Sequence, residues 1–186
     1  ADIAFLLLIF FLVTTTIETD AGLDRMLPPI EPPDTDVVIK QKNIFQVNIN
    51  KNGQLLADDE LIELKDLRSK AMAFLDNGGD GTCSYCQGRK NAESSDNPSK
   101  AIISLKNDRE TKYSTYITVQ NELVGAYNDL RNREAQRLYK KNFVDMEAEY
   151  LNPETDDDVK EELKEKVKKI QDLFPQKLSE AETSSD

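Results

Sequence analysis

Residues 43–76 read NIFQVNINKNGQLLADDELIELKDLRSKAMAFLD, and the apolar period changes partway through this stretch. Ile44, Phe45, Val47 and Ile49 are separated by Gln46, Asn48 and Asn50, the alternation of a half-buried strand. Asn52-Gly53 inside Lys51 to Gln54 supplies turn chemistry, and Leu55-Leu56 begins a short returning strand. From Leu61 the spacing becomes helical: Leu61, Leu64, Leu67, Ala71 and Leu75 line one side of a helix predicted over about residues 61–76. Asp58, Asp59 and Glu60 stand where an N-terminal cap and favourable negative charge belong. A hairpin followed by an amphipathic helix places this part of the chain in the α+β class, an order too common to name a function.

The pattern continues toward the C-terminus. Ala101 to Lys106 (AIISLK) reads as another strand and residues 107–112 as a polar turn. Tyr116, Val119, Leu123, Tyr127, Leu130 and Leu138 then recur at helical spacing, so the helix is expected to run on past Arg131. Phe143 to Leu151 is the one stretch that could supply a further strand, but Asp145, Glu147 and Glu149 spoil it for a central position. Residues 77–98 interrupt the series as an insertion with no periodicity. They hold Gly78-Gly-Asp-Gly81, Cys83-Ser-Tyr-Cys86 and Ser94-Ser-Asp-Asn-Pro98, all turn-forming.

Cys83 and Cys86 are the chain's two cysteines. In an oxidising compartment they form a local disulfide that pins the loop. A zinc half-site completed by a second protomer is the alternative, and a thioredoxin-like site is disfavoured because the pair lies in a Gly/Ser-rich loop rather than at a strand-to-helix turn. Asp76 and Asp80 lack the spaced ligands and terminal Glu of a calcium loop, so no metal or cofactor is expected here.

Residues 151–186 form an acidic extension. Asp156, Asp157 and Asp158 stand before a helix whose stripe is Val159, Leu163, Val167, Ile170 and Phe174, and Pro175 ends it. Glu161 with Lys164 and Glu162 with Lys166 pair on its wet side. The stripe is expected to dock on its own domain, with a neighbouring protomer as the alternative. Residues 179–186 are expected to be disordered.

Toward the N-terminus the chemistry is different. Asp2 precedes IAFLLLIFFLV, eleven residues with neither charge nor polar side chain. A carboxylate beside hydrocarbon must be neutralised, paired or moved toward water, so it is either a functional group or an interfacial helix cap. Ile3 to Ile17 would cover roughly 22 Å at ~1.5 Å per residue, short of the ~30 Å hydrocarbon core. The reading therefore expects a single-pass anchor over residues 1–17 with a turn or two of helix ahead of Ala1, against a signal peptide or a buried core helix. Thr14, Thr15 and Thr16 mark the exit, where hydroxyls bond across helices or back to the helix's own carbonyls. Glu18, Asp20 and Asp24 against Arg25 favour a non-cytoplasmic exit. Residues 18–42 read as an extended linker in which Pro28, Pro29, Pro32 and Pro33 each fix φ; a proline-rich recognition peptide is the competing reading.

The sequence DIAFLLLIFFLVTTT of residues 2–16, followed by GLDRMLP of residues 22–28, resembles the ExbD/TolR family of biopolymer-transport proteins. That family joins an intramembrane Asp, a Val-Thr-Thr exit and a Leu-Pro linker, here Leu27-Pro28. The resemblance is strong over residues 1–29 and looser over about 40–131. It implies a single transmembrane helix in a bacterial inner membrane, and a small periplasmic α+β domain, here residues 43–150. It further implies that two such helices sit, as a homodimer, within a pentameric ExbB-like channel protein. Asp2 would carry the proton, and the periplasmic domain would act on a TonB-like protein. A TolR-like role in envelope maintenance, and a membrane-anchored binding module without proton coupling, are the rival readings.

The composition agrees with a non-enzymatic part. The 186 residues contain no histidine, which removes the commonest general base and zinc ligand. A net charge of −11 disfavours binding to nucleic acid.

Overall fold

The computed structural model describes Ile3 and residues 39–181. Backbone contacts divide the chain into two compact units, Ala1–Ile30 and Glu31–Asp186, and every strand and helix named below belongs to the second. Asp2, Thr14, Thr15, Thr16 and Leu27-Pro28 lie outside the described residues. Among the described residues no helix is long and apolar enough to cross a membrane.

A 3-10 turn, Gln41–Asn43, leads into β1 (Ile44–Ile49), β2 (Leu55–Ala57) and β3 (Glu60–Ile62). Helix α1 (Leu64–Leu75) follows, then a long loop, β4 (Ile102–Asn107) and the helices α2 (Tyr113–Tyr139), α3 (Phe143–Leu151) and α4 (Asp157–Leu173). Strand β5 (Leu178–Ala181) closes the series, and the sheet order is β3-β2-β1-β4-β5. The β1–β2 and β2–β3 pairs are antiparallel, joined by tight turns, whereas β1–β4 and β4–β5 are parallel. Parallel neighbours need crossovers. Helix α1 with its loop lies on the first, and α2, α3 and α4 lie on the second.

The alternation read from the sequence sets the core. Phe45, Val47 and Ile49 of β1, Leu55 and Ala57 of β2, and Ile103 and Leu105 of β4 are buried, while Gln46, Asn48 and Ser104 are partly exposed. Leu67, Ala71, Phe74 and Leu75 of α1 and Val119, Leu123, Ala126, Tyr127 and Leu130 of α2 cover the buried face. A second apolar cluster joins Ala135 of α2, Phe143 and Met146 of α3, and Leu163, Val167 and Ile170 of α4. The α4 stripe therefore docks on its own chain. Its first member, Val159, is the exception at 38 % exposed.

Two expectations are corrected, the start of the first helix and the disorder of the tail. The helix expected from Leu61 begins at Leu64, because Asp58 and Asp59 take positive φ (48° and 65°) and turn the chain into β3. Ala57 pairs with Glu60 across that two-residue turn, the positive-φ geometry that antiparallel strands favour and that Asp tolerates. Glu63 then holds the N-cap position of α1. Phe143 to Leu151 is helical, capped by the Asn142 side chain, which accepts from Val144 N at 3.0 Å. The remaining strand lies instead in the stretch expected to be disordered: residues 179–181 belong to β5, with Leu178 opposite Ile103. At the start of α4, Asp156 occupies the N-cap position without a side-chain capping bond, so the acids there act through charge on the helix dipole.

Candidate functional site

Within the second unit, polar order is concentrated in the loop between α1 and β4. Asn77 anchors its start: the amide donates to the carbonyls of Asn91 and Ser95, both at 2.8 Å, and its carbonyl accepts from Asn91 N at 3.0 Å. Ser95 Oγ donates to the Phe74 carbonyl at the end of α1. Asp96 fixes the far side. It takes an ion pair from Lys42 at 2.5 Å and a hydrogen bond from the buried Asn43 amide at 3.3 Å, and its own N–H donates to Asn43 at 2.7 Å. The Lys42 ammonium holds the Asp96 carboxyl below the usual carboxylate range, aided by the Asn43 amide and Lys40 against the effect of burial. Two glycines permit close backbone approach. A Cβ at Gly79 would lie 2.4 Å from the Asn91 carbonyl oxygen, and one at Gly88 would lie 2.4 Å from that of Asp76.

Cys83 and Cys86 are bonded to each other and buried, at 6 % and 8 % exposed. Both sulfurs are consumed in that bond, so neither serves as a thiolate for zinc. Thr82 and Lys100 occupy the Asp80 carboxylate and hold it well below the usual range, the Thr82 hydroxyl contributing most. Among the described residues no group of His, Cys, Asp and Glu is placed to hold a metal ion.

The disulfide loop rests on an ionic cluster. Arg133 of α2 donates to both carboxylate oxygens of Asp76, at 2.6 and 2.8 Å, and to the Tyr85 carbonyl at 3.4 Å. The same carboxylate accepts from Gln87 N at 3.2 Å. Glu134, fully buried, accepts from Arg133 at 3.2 Å and Arg137 at 2.7 Å. Buried charge is tolerable when paired and hydrogen-bonded in this way, and here it ties α1, α2 and the loop together.

A shallow groove of about 640 Å³ lies beside β3, lined by Leu55, Leu61, Ile62 and Leu64 together with Glu60 and Lys70. Leu61 is 65 % exposed there. Strands β3 and β5 form the two edges of the sheet.

Of Asp2, the Thr exit and the Leu-Pro motif singled out from the sequence, all lie outside the described residues. Sequence reasoning did not find the Arg133 cluster. An Arg-Glu pair inside a helical pattern reads as a wet face, whereas here Arg133 is half-buried against Asp76 from another element and Glu134 is fully buried.

The family model for the biopolymer transport protein ExbD/TolR matches residues 1–131. That is more than half of the chain, which therefore belongs to this family. The match ends at Arg131 inside α2, so the rest of α2, α3, α4 and β5 lie beyond it. No curated protein matches the chain.

Proposed function

We propose that this family member is the proton-motive-force-coupled energy-transducing subunit of an ExbB–ExbD-type inner-membrane motor that energises TonB-dependent outer-membrane transport. The observation that carries the reading is the family match from residue 1, which includes Asp2 at the head of the apolar run. Asp2 takes a proton from the outer side and releases it inward, as an acid within a membrane helix is suited to do. Each charge moved through 100 mV releases about 2.3 kcal/mol, enough to bias one helix against its surrounding ring. Thr14, Thr15 and Thr16 steady that helix at its exit, and Leu27-Pro28 opens the linker to the periplasmic domain.

No covalent chemistry is required of the domain. Its task is to transmit force to a TonB-like partner while held by an ExbB-like channel protein, and a sheet packed on α1 and α2 through one apolar core, with ion pairs joining those two helices, supports that reading. The domain spans residues 43–150, with residues 151–186 added to it.

Asp2→Asn in the intact protein complex tests the reading. Energy-dependent uptake is lost while assembly with the channel partner is kept. Normal uptake with normal assembly overturns it. The same family match also admits a TolR-like role in bracing the envelope, and co-purification of a TolA-like rather than a TonB-like protein would select that role.

A further inference from the structure

The disulfide loop touches one of the points that hold the closing strand; the Tyr127 hydroxyl, which donates to the Lys177 carbonyl at 3.4 Å and accepts from Lys177 N at 3.3 Å, is another. Tyr85, between the two cysteines, donates its hydroxyl to the Leu173 carbonyl at 2.7 Å, and its ring meets the Phe174 ring edge-on at 5.4 Å. Arg133, which binds the Tyr85 carbonyl, also lies over the Phe174 ring at 5.7 Å. Arg131 donates to the Phe174 carbonyl at 3.0 Å. Phe174 is fully buried, and four residues later the chain becomes β5. Between them, Lys177 accepts from Ile103 N at 2.9 Å, the first backbone bond that seats the strand on β4.

The position of β5 therefore depends in part on Phe174, and Phe174 is held from one side by a residue that the disulfide immobilises. A bridge across three residues removes little chain entropy, so its effect is local: it fixes where Tyr85 points. With both thiols free, residues 83–86 regain backbone freedom, and the hydroxyl and ring contacts to Leu173 and Phe174 must be held against it.

We propose that the Cys83–Cys86 disulfide is an oxidation-dependent clamp on the closing strand, fixing Tyr85 against Leu173 and Phe174 so that β5 seats on β4 only once the pair is oxidised. The oxidant is an external disulfide. One cysteine thiolate attacks it and releases the first thiol; the second cysteine then displaces the other. The pair loses two electrons and two protons, and one external disulfide becomes two thiols. In the cell the clamp closes after the domain reaches an oxidising compartment. That last clause rests on the periplasmic placement proposed above; the clamp itself does not, and its test uses the purified full chain without any partner or membrane potential.

Hydrogen exchange read by mass spectrometry compares the oxidised chain with the chain reduced by a phosphine, the two thiols being counted by alkylation. On reduction, exchange across residues 174–181 rises at least tenfold while β1 and β2 change less than twofold, and glutathione disulfide restores the slow rate. The double variant Cys83→Ser, Cys86→Ser reproduces the reduced pattern without reagent. Tyr85→Phe, which keeps the disulfide, raises exchange over 174–181 severalfold. Unchanged exchange at 174–181 with two alkylated thiols overturns the proposal. So does an equal rise throughout the sheet, or a double variant with no ordered sheet, since either makes the bond a general staple.

Discussion

Arg133 grips Asp76 through two hydrogen bonds of 2.6 and 2.8 Å, joining the second helix of the domain to the residue that ends the first. Asp76 is 7 % exposed, and Arg133 meets both of its carboxylate oxygens. Glu134 beside it is fully buried and shares the same guanidinium. The Asp76 carboxylate raises the Arg133 guanidinium above its usual value, and Glu134 adds to this against the effect of burial.

Removing one partner of a paired charge strands the other. Arg133→Met should destabilise the domain by about 3 kcal/mol, the usual scale for breaking a largely desolvated pair. Adding Asp76→Leu should recover part of that loss, because the orphaned carboxylate is then gone. Urea unfolding of the three variants measures both effects; a double variant less stable than Arg133→Met would contradict the account.

Asp96 predicts an acid-dependent anchor. Its carboxyl is held below the usual range by Lys42, with Asn43 and Lys40 adding to it, so it releases its proton more readily folded than unfolded. The stability it contributes is present above the unfolded value of ~3.9 and is lost as pH falls through the folded value. Asp96→Asn should therefore melt below wild type at neutral pH, with the gap narrowing as pH falls below ~3.9. A gap of constant size from neutral to strongly acid conditions would remove the ion pair from the explanation.

The β2–β3 turn separates two neighbouring acids. Both take positive φ, but Asp58 also accepts from Gln46 N at 3.0 Å, and burial raises its carboxyl above the usual range with the Asp59 charge adding to the shift. Asp59→Gly should relieve a left-handed conformation and a like charge together, gaining up to about 1 kcal/mol. Asp58→Gly forfeits the backbone bond and should gain less. Denaturant midpoints of the two variants give the order, and Asp58→Gly emerging as the more stable would reverse it.

These turns and ion pairs also mark where the sequence was readable and where it was not. Alternation at Phe45, Val47 and Ile49 and helical spacing at Leu67, Ala71 and Leu75 were legible because each element buries one face, and burial leaves a period. Strand β3 was not, since three residues carry no period and Asp58-Asp59 reads equally as a helix cap or a hairpin turn. Strand β5 left no trace at all. Leu178-Ser-Glu-Ala181 has little β character, and its pairing is imposed by the Phe174 anchor and the open edge of β4. The clamp was half legible: the Cys-x-x-Cys pair announced a bond, but nothing local joins Tyr85 to a carbonyl 88 residues away.

That imposed pairing makes the edge of β4 the place where truncation should tell. In the full chain, Ile103 N donates to the Lys177 carbonyl, and Ile103 and Leu105 are buried opposite Leu178 and Glu180. A chain ending at Pro175 keeps Phe174 and the helical cluster but leaves the outer backbone groups of β4 without a strand. Unpaired edges of apolar strands recruit other chains. The truncated protein should associate more strongly than the full chain, with a mass that rises with concentration in size-exclusion chromatography with light scattering. Substituting Lys for Ser104 on the partly exposed face should not cure it, because the exposed groups are backbone; a charged residue in place of Leu105 would point toward the core and unfold the sheet instead. A truncated chain with the same mass as the full chain at every concentration would show that β5 covers nothing that needs covering.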